Sequence, residues 1–418
     1  MGLHTGPSAT VAVAPRPKAT RWVVFAVLGL GYFFAFFHRF ATAVIAGDLV
    51  RDFGLSSADL GLLGSAYFYP YAAMQIPAGA LADRLGTKKT AAFSLLLAGV
   101  GSFLFTFTRS FPLAVLGRAL IGLGISCVYV PSLKTLGEWF DRREFATVSG
   151  TFLAIGNVGG LMASMPLAVM VARLGWRPAY GVMSVITASL ALLVWVFVRD
   201  SVAAAVDEPR LSLGQGLREV FTSRNIWLVS LWGFCFSGIR LAFQSLWAGQ
   251  YLTKAAGMGM ELASTAIFVL GLGSVFGNPL VSRLELMPGS RKTKTIAVSV
   301  IYSLSWSLLA FYPGRMSFAS AAVIMGWIGL TAGCYSLVMF FAREATSPQV
   351  VGTALGVFNC FIMFGGAVMT QVQGVMVGYL TKLMGDQMAY RWVFGIDTVL
   401  MLAATALLTF LIPQPAHK

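Results

Sequence analysis

The sequence predicts an all-α membrane protein: twelve transmembrane helices in two pseudo-symmetric six-helix bundles. Three observations carry that prediction. Hydrophobic residues make up 57% of the 418 and charged residues 11%, whereas soluble domains are charged at about a quarter of their positions. Apolar runs long enough to cross a bilayer recur along the whole chain, bounded by charges, Gly and Pro. Well over half of the 30 Lys and Arg fall in the termini and the loops of one side, the asymmetry that orients such chains.

Taken in order, residues 1–21 lack the apolar core of a signal peptide and hold Arg16, Lys18 and Arg21, which predicts a cytoplasmic tail. Twelve spans follow, at about 22–47, 58–82, 90–108, 112–137, 145–172, 178–198, 226–252, 260–282, 295–313, 318–341, 350–380 and 389–412. An even number returns both ends to the same side, so the tail at 413–418 is also expected to be cytoplasmic. The one substantial polar interruption, 199–225, reads as a cytoplasmic linker between a bundle at 22–198 and a bundle at 226–412. It contains Arg210, Arg218 and Arg224, and an amphipathic helix is expected around Leu211–Phe221. A faint repeat relates the halves: Gly150, Gly159 and Gly160 recur at the same spacing as Gly356, Gly365 and Gly366, and Trp176-Arg177 is echoed by Arg391-Trp392.

Composition also excludes. The net charge of +14 is spread over short loops and forms no single stripe, which points to membrane orientation and away from nucleic acid. Cys127, Cys235, Cys334 and Cys360 lie inside apolar runs without paired spacing, so neither a disulfide framework nor a metal site is expected. No GxxxxGK[ST] loop and no catalytic constellation occurs, which argues against a pump or an enzyme. No cofactor is expected, and the partners implied are the lipid bilayer and a small substrate, with the protein a monomer in the cell inner membrane.

The stretch Gly79-Ala-Leu-Ala-Asp-Arg-Leu-Gly-Thr-Lys-Lys89 closes the second span and opens the third. Gly79 permits close helix packing, Gly86 suits a tight reversal, and Arg84, Lys88 and Lys89 put positive charge beside the membrane. Asp83 needs a cationic or helix N-terminal partner there. The pattern resembles the loop motif between helices two and three of the major facilitator superfamily. That resemblance implies alternating access and a gating contact at Gly79, Asp83, Arg84 and Gly86. In the second half the motif decays to Gly277-Asn-Pro-Leu-Val-Ser-Arg283 followed by Arg291-Lys292, and the acidic residue is gone.

Ionisable residues inside spans are His38, Arg39, Arg118, Lys134, Arg240 and Asp397. A charge at bilayer depth costs about 2.5–3.5 kcal/mol or more, so each must face protein or water. Arg39 and Arg240 occupy the first helix of each half, and in a two-fold architecture they face each other. Arginine suits an anion because its planar fork donates two parallel hydrogen bonds and keeps its charge. Lys134, Tyr71, Gln75, Gln244, Trp247 and Asn359 are further binding candidates, beside Tyr67, Tyr129 and Gln371. Arg118 reads as structural or binding. His38 and Asp397 are the candidates for coupling to protons.

The run Gly31-Tyr32-Phe-Phe-Ala-Phe-Phe-His-Arg39, together with Arg240, Trp247 and Tyr251, resembles the organophosphate:phosphate exchangers. Those exchangers carry a histidine where this chain has Gly156 and a lysine where it has Gln75. The anion:cation symporters are similar at Arg39 and Arg118, but their acidic residues are replaced here by Ile125 and His38. Gly156-Asn157-Val-Gly-Gly160 is similar to the exchanger-type glycine motif with Asn157 in place of proline. The function expected is secondary transport of a small organic anion, carboxylate before phosphate ester and exchange before proton symport. The competing readings are a drug or metabolite exporter and a transport-fold anion sensor.

Overall fold

A computed structural model describes residues 18–200, 213–312, 315–347 and 350–411. Most of the N-terminal tail, linker residues 201–212 and the C-terminal tail lie outside the described residues. Within them the chain is helical, with no strand. Among the described residues ten helices are long and apolar enough to cross a membrane. One of these, Val351–Phe410, folds back at Gly385 (φ 79°, ψ 164°) and supplies spans eleven and twelve. The pair Ser57–Met74 and Pro77–Leu85 supplies span two, which completes twelve.

The sequence drew most spans as single rods, and the structure breaks several. Span one parts at Ala41 between Lys18–Phe40 and Thr42–Phe53. Span two parts before Pro77, whose ring nitrogen has no hydrogen to give the preceding turn and which therefore starts the second segment. Span four parts at Cys127-Val128 between Phe111–Ser126 and Tyr129–Trp139, and span ten parts at Ala332-Gly333 between Phe318–Thr331 and Cys334–Glu344. In span seven, Arg224–Ala242 passes into a π-helical turn at Phe243–Trp247 and a second at Tyr251–Ala255. Spans five and nine are similarly divided, while three, six and eight run as Thr87–Phe107, Trp176–Phe197 and Met260–Ser282. A helix at Leu213–Thr222 lies in the stretch read as linker.

The repeat is visible in the backbone. All six positive-φ residues among those described are glycines, and they fall in three related pairs: Gly54 with Gly257, Gly86 with Gly289, Gly175 with Gly385. Helix packing repeats as well. Gly159 of span five lies against the Phe33 carbonyl of span one, too close for a side chain, and Gly365 of span eleven lies in the same way against the Phe234 carbonyl of span seven. Six residues beyond each contacted carbonyl stands an arginine, Arg39 in one half and Arg240 in the other.

The end of the bundle that carries Gly86 and Gly289 is called the near end, and the end that carries Gly54 and Gly257 the far end. At the far end the halves touch closely. A Cβ on Gly374 would stand 2.7 Å from the Ser57 carbonyl, and Gly249 packs on the Ala43 carbonyl. The Tyr69 hydroxyl donates to Gln371 Oε1 at 2.9 Å across the seam of spans two and eleven. The near-end segments Pro77–Leu85, Tyr129–Trp139 and Cys334–Glu344 pack chiefly within their own halves. The halves are therefore sealed at the far end and loosely joined at the near end.

Candidate functional site

Arg39 is nearly buried, 5% exposed, two residues before the break in span one at Ala41. Its guanidinium lies over the Phe36 ring at 4.6 Å and the Tyr71 ring at 5.1 Å, the two aromatic faces of a cation–π clamp. The Tyr67 hydroxyl stands beside it and donates to the Ala35 carbonyl at 3.3 Å. Arg39 Nε is buried without a hydrogen-bond partner, and no carboxylate among the described residues pairs with this guanidinium.

Arg240 comes just before the π-helical turn of span seven, so each arginine precedes the point where its helix leaves regular geometry. Such departures cluster at functional positions. Arg240 donates to Gln244 Oε1 at 3.1 Å, and among the described residues it too has no carboxylate partner. Arg39 and Arg240 lie close enough to feel one another's charge, and Tyr335 feels both. The two cations come from opposite halves.

Amides and aromatics pair within and between the halves. Asn359 of span eleven donates to Gln75 of span two, the second side-chain hydrogen bond across the halves among the described residues. Tyr32 is stacked between Phe152, at 4.8 Å and 9°, and Tyr129, at 5.0 Å and 27°. In the second half Tyr335 stacks on Phe358 at 5.9 Å and 13°. Tyr129 and Tyr335 lie in the first turns of the segments that follow the breaks of spans four and ten.

The family model described as Major Facilitator Superfamily matches residues 28–370. The chain belongs to the major facilitator superfamily. A probable sulfoacetate transporter of Cupriavidus necator is 28% identical over 88% of this chain and 89% of its own length. A probable hexose phosphate transport protein of Chlamydia trachomatis is 23% identical over 85% and 84%, and a probable galactarate/D-glucarate transporter of Escherichia coli 25% over 82% and 84%. Among solved structures, a bacterial homologue of the human lysosomal transporter Spinster, inward-facing and unoccupied, shares the fold. Its TM-score is 0.76 at 16% identity, covering 94% of this chain and 97% of the other. By family this chain is a membrane transporter and not an enzyme.

The other candidates of this superfamily member fall outside the arginine group. Trp247 is 1% exposed, and its indole N–H is given to the Thr370 carbonyl at 3.0 Å inside the far-end seal. Arg118 is fully buried and donates to the His38 carbonyl at 3.1 Å, beside the break in span one, with the Tyr67 ring 5.1 Å away. His38 is fully buried and its Nε2 shares a hydrogen bond of 2.9 Å with the Thr187 hydroxyl. Lys134 is exposed and reaches the Ala82 carbonyl at 3.4 Å, beside the loop motif. Asp397 is bonded to Gln373 at 2.8 Å inside the second half.

In the superfamily loop motif, Gly86 has φ 81° and ψ 162°. Asp200, at the end of span six, accepts from the Lys88 N–H at 2.9 Å and lies where any side chain on Gly86 would go. Lys88 Nζ sits 5.0 Å over the Trp195 ring. Gly79 packs near Val130, Arg84 is exposed, and the Asp83 side chain lies outside the described residues. Sequence reasoning missed Asp200, Phe36, Tyr335 and Phe358.

Proposed function

We propose that this protein is a secondary transporter that carries a small organic anion between Arg39 and Arg240 by alternating access. The observation that supports this is the pair itself: two guanidiniums at repeat-related positions of opposite halves, close enough to feel one another's charge, with no carboxylate partner among the described residues. An anion held by both would join the halves through charge-assisted hydrogen bonds and give the rocking motion something to close on. Gln75, Asn359, Gln244 and Tyr71 supply the remaining donors and flat surface. Lys134 and Trp247 stay second-rank binding candidates, Arg118 is the anchor of the span-one break, and the loop of Gly79, Asp83, Arg84 and Gly86 gates the near end.

A carboxylate is favoured over a phosphate ester. Where the phosphate exchangers place cations, this chain has Gly156 under the Tyr32 ring and Gln75 bonded to Asn359. The relatives include a probable sulfoacetate transporter and a probable galactarate/D-glucarate transporter, whose named compounds are carboxylates, beside hexose phosphate transport proteins. Exchange is favoured over proton symport because, among the described residues, no carboxylate pairs with Arg39 or Arg240, and the His38 imidazole is bonded to Thr187. Moving the arginines empty through a closing interface would also strip solvation without a partner. We place the near end in the cytoplasm of an inner membrane, where the basic loops belong, with both termini on that side and 199–225 joining two bundles.

The test is uptake into proteoliposomes competed by acetate, malonate, sulfoacetate, galactarate and glucose 6-phosphate, with and without the same anions inside. Carboxylates should compete at lower concentration than glucose 6-phosphate, and uptake should need internal anion. Vigorous uptake into empty vesicles carrying a pH gradient would reject exchange. Competition by the phosphate ester alone would reject the carboxylate preference.

A further inference from the structure

Asp397 lies in the interior of the second half, 3% exposed, on span twelve. Its Oδ2 accepts a hydrogen bond of 2.8 Å from Gln373 Nε2 of span eleven, so the two side chains join the helices on either side of the Gly385 turn. The other end of the same amide, Gln373 Oε1, is buried and has no partner among the described residues. The titratable neighbours are Cys235 on span seven and Tyr302 on span nine. No Lys, Arg or His among the described residues ion-pairs with Asp397.

An ionised carboxylate is purely an acceptor, and here it would meet one amide N–H in an apolar interior, which is expensive. It would also leave Gln373 Oε1, on the same amide, buried without a donor. A protonated acid offers an O–H as well as a carbonyl oxygen, the complement of a primary amide's oxygen and N–H. The unsatisfied Gln373 oxygen is the acceptor that such a proton requires.

We propose that Asp397 keeps its proton throughout the transport cycle and closes a two-bond ring with Gln373, one bond from the amide N–H to Oδ2 and one from the acid O–H at Oδ1 to Gln373 Oε1. The ring is a neutral pin between spans eleven and twelve. No proton is gained or lost, so Asp397 carries none across the membrane. The consequence for coupling mode rests on the exchange reading above, whereas the ring itself stands on its own geometry.

The test is infrared spectroscopy of the reconstituted protein, following the carbonyl band of a protonated carboxyl group that disappears in Asp397→Asn. The band should persist unchanged from about pH 5 to about pH 9, far above the ordinary aspartate value of about 3.9. Asp397→Asn preserves a neutral two-bond ring and should keep the thermal midpoint and anion exchange within about twofold of the wild type, whereas Asp397→Leu strands the Gln373 amide and should lower the midpoint. Loss of the band within that pH range would overturn the proposal. So would an Asp397→Asn protein that keeps its midpoint but loses transport. Anion binding measured at equilibrium on the same variants separates the two proposals, since failure of the arginine site would abolish binding in the wild type and leave the band where it is.

Discussion

Arg39 and Arg240 occupy equivalent backbone positions, yet the two halves support them differently. Arg39 is held by rings, between Phe36 and Tyr71, and Arg240 by an amide, through Gln244. The surroundings differ further. The first half has a second buried arginine, Arg118, four residues before Gly122, which packs on the Tyr67 carbonyl. The second half has Met325, four residues before Gly329, which packs on the Leu270 carbonyl. Pseudo-symmetry has kept the two cations and the helix departures beyond them, while everything that orients the cations has diverged. A substrate gripped by both would meet one guanidinium on a flat apolar support and one tethered by a polar neighbour, which suits an anion whose two ends are unlike.

The most damaging way to break this comparison is to replace either fork. Arg39→Lys and Arg240→Lys should each weaken anion binding by about 10- to 100-fold, because a charge remains but the paired donors are lost. Equilibrium binding on detergent-purified protein measures it, and a loss confined to one half would mean that only one arginine meets the substrate.

Arg118→Met then imposes the second half's residue on the first. It removes the donor to the His38 carbonyl and should cost about 1–3 kcal/mol of stability, while anion affinity changes by less than about threefold. Thermal unfolding and binding on the same sample separate these outcomes. An affinity loss as large as that of Arg39→Lys would bring Arg118 into the site.

The supports come last. Tyr71→Leu removes one face of the clamp and should weaken binding by about threefold, while Tyr71→Phe keeps the ring and should change it less. Gln244→Ala should also cost about threefold, by freeing Arg240 to adopt other rotamers. Equal losses for Tyr71→Phe and Tyr71→Leu would show that the hydroxyl matters and the ring face does not.

Much of the molecule was legible in the sequence, and the limits have physical causes. Length, hydropathy and charge asymmetry are properties of composition, so twelve spans could be counted from the residues alone. The arginines stood out because charge at membrane depth is rare, and the glycine spacing pointed to the repeat. The breaks in spans one, four and ten were not visible, because a polar turn is not needed when neighbouring helices and Arg118 satisfy the freed carbonyls. Trp247 was drawn toward the substrate by its resemblance to an exchanger pattern, but its indole finds the Thr370 carbonyl first. Asp200 was passed over because it stands far in sequence from the loop that it caps, and Tyr335 because one tyrosine among many apolar residues carries no period.

A double-substitution cycle on anion binding bears most directly on whether one anion bridges the halves. Affinities are measured for the wild type, Arg39→Lys, Arg240→Lys and the double variant, with a carboxylate that competes in uptake. If both forks grip the same anion, the second substitution should cost far less than the first, leaving an interaction energy of about 0.5–3 kcal/mol between residues on opposite halves. Additive losses, or wild-type affinity in either single variant, would contradict a shared site.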